Sequence, residues 1–242
     1  MHDDLAINEG GSIAWAMRQK SPKLLSSVNE FVKQAKKGTL LGNILIKRYL
    51  TNVQWIDNVR SGEAQKRYEA SIDIIKTYAG RYDFDWLMIM AQGYQESKLD
   101  QSKRSHAGAV GIMQVLPSTA ADPNVGIPDI EQAEPNVHAG VKYLRFLRDR
   151  YFSSEDISPL DRVLLSFAAY NAGPRNIARA QKKAAQMGLD PNRWFGQLEV
   201  AAAKTISREP VLYVRNIYKY YVAYKKTEAI RARRQSLAER PD

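Results

Sequence analysis

Asp85-Trp86-Leu87-Met88-Ile89-Met90-Ala91, continued by Gln92-Gly93-Tyr94-Gln95-Glu96-Ser97, is the stretch on which the fold turns. After Asp85 its first half is apolar on every side of a helix. That is the pattern of a helix surrounded by protein rather than one lying on a surface. A helix buried in this way needs other elements packed around it, and the flanking sequence supplies helices. Tyr68, Ile72, Ile75 and Tyr78 step along one helical face ahead of it. Behind it, Val141, Leu144 and Leu147 set a helical spacing over Val137 to Tyr151. Ser158-Pro159-Leu160-Asp161 resembles a capping box and opens an apolar helix running to Tyr170. A last helix follows Pro210, with Val214, Ile217, Tyr218 and Tyr221 at i, i+3, i+4 and i+7. Between residues 101 and 136, Gly108, Gly111, Pro117, Pro123, Gly126, Pro128 and Pro135 break the pattern into a long loop with at most short helices. The fold class expected is mainly all-α.

The amino-terminal part reads differently. Ile13, Trp15 and Met17 alternate, as in a short strand. Ser21-Pro22 then starts an amphipathic helix carrying Leu24, Val28, Phe31, Val32 and Ala35, with Gly38 as its stop. A lone strand has no sheet to join in the helical sequence that follows. Two readings stand for residues 1 to about 50: a remnant of a larger unit, or a helical extension wrapping the main domain. The division expected is an extension over 1–55, the main domain over 56–226, and a charged tail over 227–242 that frays or is disordered.

Composition narrows the chemistry. With 242 residues and 44% apolar content, wholesale disorder is excluded in favour of a globular core. The absence of cysteine removes disulfides, zinc–thiolate sites and cysteine nucleophiles. No apolar run is long enough to span a bilayer. Met1 is followed by His2, Asp3 and Asp4 rather than a basic and then apolar signal segment, so an exported form would be mature or truncated. The net charge of +10 favours a polyanionic partner, which charge alone does not choose. Basic residues are dispersed and no nucleic-acid recognition motif occurs, so no nucleic-acid partner is expected. His2, His106 and His138 are too scattered to suggest a metal site.

Glu96 is the residue to explain. It lies about three turns into the helix that begins near Asp85, close to where that helix should end. Ile89 and Gln92 share its row, at i−7 and i−4, so it faces a partly apolar lining. Burial raises a carboxyl pKa because the charged form loses hydration. The carbonyl dipoles at a helix C-terminus push the same way. Both effects favour a protonated carboxyl near neutral pH, which a general acid must be. Position alone also admits a solvated helix-end Glu or a structural ion pair.

The surrounding motifs decide between these. Gln92-Gly93-Tyr94-Gln95-Glu96-Ser97 is followed by Ser105-His106-Ala107-Gly108-Ala109-Val110-Gly111-Ile112-Met113-Gln114-Val115, then by Ala169-Tyr170-Asn171-Ala172-Gly173-Pro174, and then by Glu209 with Tyr213-Val214. In this order and spacing the chain resembles the SLT-type lytic transglycosylases, and within them the membrane-bound murein transglycosylase F type. The likeness covers roughly residues 65 to 225. Residues 1 to 50 resemble the end of the solute-binding-protein-like regulatory domain that precedes the catalytic domain in that subfamily.

The resemblance implies a lysozyme-like helical domain and a set of roles. Glu96 matches the single catalytic acid/base. Ser105 matches a serine that helps orient the muramyl unit. Met113 and Gln114 match a pair lining the sugar groove. Tyr170 and Asn171 lie near the catalytic carboxyl, and Glu209 and Tyr213 border the cleft. His106 and Pro210 depart from the family pattern, where Pro and Thr are usual. The implied reaction cleaves the MurNAc–GlcNAc β-1,4 bond of peptidoglycan without water and leaves 1,6-anhydromuramyl ends. No metal or organic cofactor is implied.

The implied partner is the peptidoglycan glycan strand, with muropeptides or the rest of the regulatory domain as others, and the chain is expected to be monomeric. The implied place is the bacterial periplasm or cell envelope, associated with the outer membrane in a full-length form. Asp100, at i+4 from Glu96, is the nearest candidate for a second carboxylate, and its reading is a cap or solvated turn just after the helix. Two alternatives stand beside the main reading: a hydrolytic muramidase of the same fold, and a non-catalytic murein-binding module.

Overall fold

The computed structural model describes residues 18, 20–36, 38–39 and 62–238. The chain divides into two units, residues 1–57 and 58–242. In the first, helix α1 spans Pro22–Ala35 with Pro22 at its first position, and Gly38 follows at positive φ. The strand expected over residues 12–17 and the apolar stretch from 40 to 50 lie outside the described residues.

The second unit is built from helices α2 (Gly62–Arg81), α3 (Trp86–Ser97), α4 (Pro117–Ala121), α5 (Ala133–Tyr151), α6 (Pro159–Ala172), α7 (Pro174–Gln186), α8 (Glu199–Thr205) and α9 (Glu209–Ala238). A kinked turn, Trp194–Leu198, leads into α8. No strand occurs among the described residues, and only two isolated bridges, Arg104 to Val110 and Val110 to Val115, fold the 101–115 loop onto itself. The all-α expectation holds.

α3 is the central helix its sequence predicts. Leu87 through Tyr94 are all buried, and Ile89, Met90 and Ala91 expose nothing. α2 and α9 pack on α3, while α5 joins α2 to α6, and α9 also rests on α6. The starts of these helices follow local chemistry. The Asp85 side chain accepts from the Leu87 N–H at 2.9 Å, filling one orphan donor of α3. Ser158 caps α6 by accepting from Asp161 N–H at 3.1 Å, and Asp161 in turn accepts from Trp194 N–H at 2.9 Å. The pair Ser158 and Asp161 thus fixes both a helix start and the distant kinked turn.

Arg148 on α5 donates to the Tyr82 and Asp83 carbonyls just after α2, at 3.1 and 2.6 Å. A cation at a helix C-terminus satisfies orphan carbonyls and complements the dipole. His138 stacks on Tyr78 with ring centroids 4.2 Å apart and meets the Tyr82 hydroxyl at 2.8 Å. Its role is structural packing between α2 and α5, and burial lowers its pKa. Helix α5 starts at Ala133, four residues ahead of the Val137 expected, because Pro135 sits within its first turn, where a missing N–H costs nothing. α9 continues to Ala238, through the segment read as a fraying tail.

Candidate active site

The chain turns sharply at the end of α3, and that turn sets out the site. Lys98 and Leu99 both take positive φ, 63° and 61°. Such backbone is costly for residues with a Cβ and persists only where the surroundings fix it. Here Lys98 N–H bonds the Tyr94 carbonyl at 3.0 Å, and the Leu99 side chain is buried. Ser97 completes the lock. Its hydroxyl donates to the Ile112 carbonyl at 2.9 Å and accepts from Asp100 N–H at 3.0 Å. The end of α3 is thereby tied to the 101–115 loop with Glu96 aimed at α9.

That loop is held from beneath by two side-chain amides. Asn136, fully buried on α5, accepts from Met113 N–H at 2.9 Å and donates to the Val110 carbonyl at 2.8 Å and the Ile130 carbonyl at 3.3 Å. Gln101 donates to the Ile130 and Glu131 carbonyls and accepts from Ile112 N–H at 3.1 Å. Gly111, at φ 75°, lies against both amides: a Cβ there would sit 2.5 Å from Gln101 and 2.7 Å from Asn136. Gly140 admits the Met113 side chain, which a Cβ would meet at 2.6 Å. Backbone polar groups in a loop packed this closely need such partners.

Glu96 itself is half-buried. The Tyr213 hydroxyl, from α9, donates to its Oε1. Gln92, one turn before Glu96, donates to the Tyr213 oxygen at 3.3 Å. Lys103 reaches the Glu96 main-chain carbonyl at 2.5 Å. Burial pushes the Glu96 carboxyl up to about 7, against the Tyr213 hydrogen bond and the Lys103 ammonium, which both pull it down. Desolvation is the largest of these effects, and it wins. The same burial, with the Glu96 charge nearby, holds both tyrosines well above their usual range. They act as hydrogen-bond donors near neutral pH.

A cavity of about 460 Å³ opens beside this carboxyl, lined by Gln95, Glu96, Asn171, Glu209, Tyr213 and Asn216, with Leu212 completing its wall. Glu96, Asn171, Glu209 and Tyr213 are thus brought together, and Asn171 donates to Glu209 Oε1 at 3.4 Å. Tyr170 donates to the Met113 carbonyl at 2.8 Å, which pins the loop to α6. Met113 was read as lining the sugar groove, but its side chain exposes none of its surface. What it contributes to the site is the carbonyl that holds Tyr170.

Gln114, at φ 46°, donates to the Gly111 carbonyl at 2.9 Å and the Lys103 carbonyl at 3.2 Å. Ser105 accepts from Ala109 N–H at 2.9 Å, closing its own turn. Neither lines the cavity beside Glu96.

Asp100 departs sharply from Glu96. It accepts from the Ser102 hydroxyl at 2.6 Å and the Ser102 N–H at 2.9 Å, and pairs with Arg67 at 3.3 Å. The Ser102 hydroxyl foremost, and Arg67 more weakly, hold its pKa below the usual carboxylate range. Its reading as a turn cap agrees with this geometry. Sequence reasoning passed over Gln95, Leu212 and Asn216. The spacing of Glu209, Leu212, Tyr213 and Asn216 at i, i+3, i+4 and i+7 is the signal that could have found the last two. Among the described residues, no group of three His, Asp or Glu side chains gathers into a metal-holding arrangement.

Residues 73–190 match the transglycosylase SLT domain family. This segment belongs to that family. The SLT match spans α3, the 101–115 loop and α5 to α7, and so contains Glu96 and its supporting amides. The chain is 34% identical over 241 residues to the membrane-bound lytic murein transglycosylase F of Desulfosudis oleivorans, covering 93% of this chain and 52% of that protein. It is 31% identical to the protein of the same name from Cellvibrio japonicus, covering 78% of this chain and 38% of that one. The chain therefore spans about half the length of such relatives or less. In fold it is similar to the 70 kDa soluble lytic transglycosylase SLT70 of Escherichia coli, with a TM-score of 0.51 at 22% identity, over 85% of this chain and 34% of that one.

Proposed function

We propose that this chain is a peptidoglycan lytic transglycosylase with Glu96 as its one proton-transfer group. The observation that carries the reading is a half-buried carboxyl raised to about 7, fixed by Tyr213 on the wall of an open cavity. The names of its relatives, murein transglycosylases both, supply the substrate class.

In this reading Glu96 acts twice. Protonated Glu96 gives its proton to the glycosidic oxygen between MurNAc and GlcNAc. The bond from that oxygen to C1 breaks, the GlcNAc-side fragment leaves as an alcohol, and positive charge develops at C1. Glu96, now a carboxylate accepting from Tyr213, takes the proton of the C6 hydroxyl of the same muramyl sugar. The C6 oxygen attacks C1 and closes a 1,6-anhydro ring. One proton leaves Glu96 and one returns, and no water is consumed. Closing a ring within one sugar gains the advantage of an intramolecular nucleophile. Asp100, tied into its own turn, is not needed. Asn171 and Glu209, across the cavity, position the sugar.

We place the enzyme in the cell envelope, as its membrane-bound relatives suggest; no helix among the described residues is long and apolar enough to cross a membrane. A second reading draws on Glu209, a further carboxylate on the same cavity. With Glu209 as a base for water, the products would be reducing muramyl ends. Mass spectrometry of digested murein separates the two. Anhydromuramyl termini are expected from the wild type and none from Glu96→Gln. Reducing termini would overturn the transglycosylase reading, and undiminished cleavage by Glu96→Gln would overturn the role of Glu96.

A further inference from the structure

Among the described residues the buried polar side chains are Ser71, Gln92, Ser97, Asn136 and Ser166. All but Gln92 bond the main chain. Ser71, Ser97 and Ser166 give their hydroxyls to carbonyls of their own helices, and Asn136 holds the 101–115 loop. Gln92 is fully buried and its amide meets the Tyr213 hydroxyl, to which Nε2 donates at 3.3 Å. Its Oε1 is buried with no hydrogen-bond partner among the described residues. An amide placed this way lowers stability, because the unpaired end has lost its water. An apolar side chain of the same length would fill the place without that loss. A buried polar group that persists under such a penalty marks a role, and this one stands one turn before Glu96 on α3.

The role lies in what Tyr213 can do. A tyrosine hydroxyl both donates and accepts. Beside an ionised Glu96 it donates. Beside a protonated Glu96 two arrangements compete. In one, Tyr213 donates to Oε1, and the acid carries its proton on Oε2, free for transfer. In the other, the acid donates to the Tyr213 oxygen, and the proton is held there. The Gln92 amide, donating to that oxygen, fills the accepting side of the hydroxyl and favours the first arrangement. It also polarises the O–H, which strengthens the bond to Glu96.

We infer that Gln92 is a positioning residue for the Glu96 proton: its amide, bonded to the Tyr213 oxygen, keeps the Tyr213 hydroxyl donating to Glu96 Oε1 and leaves Oε2 to carry the proton that is transferred. This rests on the transglycosylase reading for the step that uses the proton. The other titratable groups near Glu96 have bonds of their own. Tyr170, from α6, donates to the Met113 carbonyl. Lys103, from the 101–115 loop, donates to the Glu96 main-chain carbonyl, and Glu209, at the start of α9, accepts from Asn171. The Tyr213 bond lowers the Glu96 pKa against burial, so weakening that bond lets the carboxyl rise further.

Gln92→Met removes the donor and keeps an unbranched side chain of similar length. With the full chain, kcat on murein is expected to fall about tenfold, a fraction of the loss of the acid itself, with KM unchanged. The Glu96 midpoint in a carboxyl-carbon NMR titration is expected to rise by about half a pH unit, while the melting temperature holds or rises. In a Tyr213→Phe background the same substitution is expected to change neither kcat nor midpoint, because the route through the hydroxyl is gone. A wild-type kcat and midpoint in Gln92→Met overturn the inference. So does an equal change in the Tyr213→Phe background, which would make Gln92 a matter of local polarity alone. Gln92→Leu repeats the test with a second apolar side chain, and failure of both variants to fold makes Gln92 a core residue and overturns the inference too. The NMR arm uses no substrate. A wild type that leaves no anhydromuramyl ends therefore overturns the transglycosylase reading, while the coupling of Gln92 to Glu96 is still read from the midpoint.

Discussion

Glu96 and Asp100 are four residues apart, and the end of α3 and the turn that follows treat them in opposite ways. Glu96 faces α9, accepts from the Tyr213 hydroxyl, and its carboxyl rises to about 7 with burial. Asp100 faces a hydrogen-bonding turn, takes two bonds from Ser102, pairs with Arg67, and falls below the usual range. The same functional group on adjacent turns of chain becomes an acid in one place and a structural anchor in the other. What separates them is the balance of desolvation against charge and hydrogen bonds. The positive-φ pair Lys98 and Leu99 is the device that lets the backbone reverse between the two environments.

Glu96→Gln breaks the comparison most severely. Lytic activity should fall by about 10³-fold or more, the scale of a lost general acid, while binding to murein persists. Quantitative murein digestion checks this. The same substitution should strengthen the fold. A carboxyl whose folded pKa exceeds its unfolded one keeps its proton longer in the native state. Stability is then full below the unfolded value and is lost as pH rises toward about 7. Above that, Glu96→Gln should be more stable than wild type by on the order of 2 kcal/mol, read from urea unfolding.

Asn136→Ala attacks the floor rather than the carboxyl. It leaves Met113 N–H unpaired in a buried place and takes one donor each from the Val110 and Ile130 carbonyls, which keep Val115 N–H and the Gln101 amide. A loss of about 3 kcal/mol is expected in urea unfolding, with activity falling because the loop that supports Tyr170 loosens.

Tyr213→Phe sharpens the comparison. It removes a bond that lowers the Glu96 pKa. The high-pH limb of kcat/KM, where Glu96 loses its proton, should move to higher pH. Stability should drop by about 1 kcal/mol from the lost hydroxyl contacts.

Asp100→Asn is the mildest. Asp100 contributes stability above its unfolded pKa that is lost as pH falls through its lowered folded value. The variant should cost about 1 kcal/mol near neutral pH, nothing in strong acid, and leave the pH profile of catalysis in place. A displaced catalytic limb would show that Asp100 shares the proton chemistry.

Much of this was legible from the residues. The apolar run Leu87 to Ala91 marked the buried helix because nothing polar interrupts it. Ser158 and Asp161 marked a helix start through their own hydrogen bonds. The helices between Pro174 and Thr205 escaped because their apolar residues are small alanines, and the kink at Phe195 and Gly196 hides the period. In the site, Glu96 and its motif companions could be named, and Tyr213 stands against the carboxyl. The buried amides Gln92 and Asn136, and the half-buried Gln101, could not be assigned, since a Gln or Asn with fixed partners reads in sequence like any surface amide. Met113 shows the converse: a motif position whose side chain packs in the core.

Burial near Tyr213 keeps Glu96 protonated close to neutral pH while Asp100 stays ionised. Carboxyl-carbon NMR titration of the labelled full chain, with Glu96→Gln and Asp100→Asn to assign the two signals, tests it most directly. A Glu96 midpoint near 7 and an Asp100 midpoint below that of a free aspartate are expected. A Glu96 signal titrating with the ordinary glutamates of the surface would contradict it.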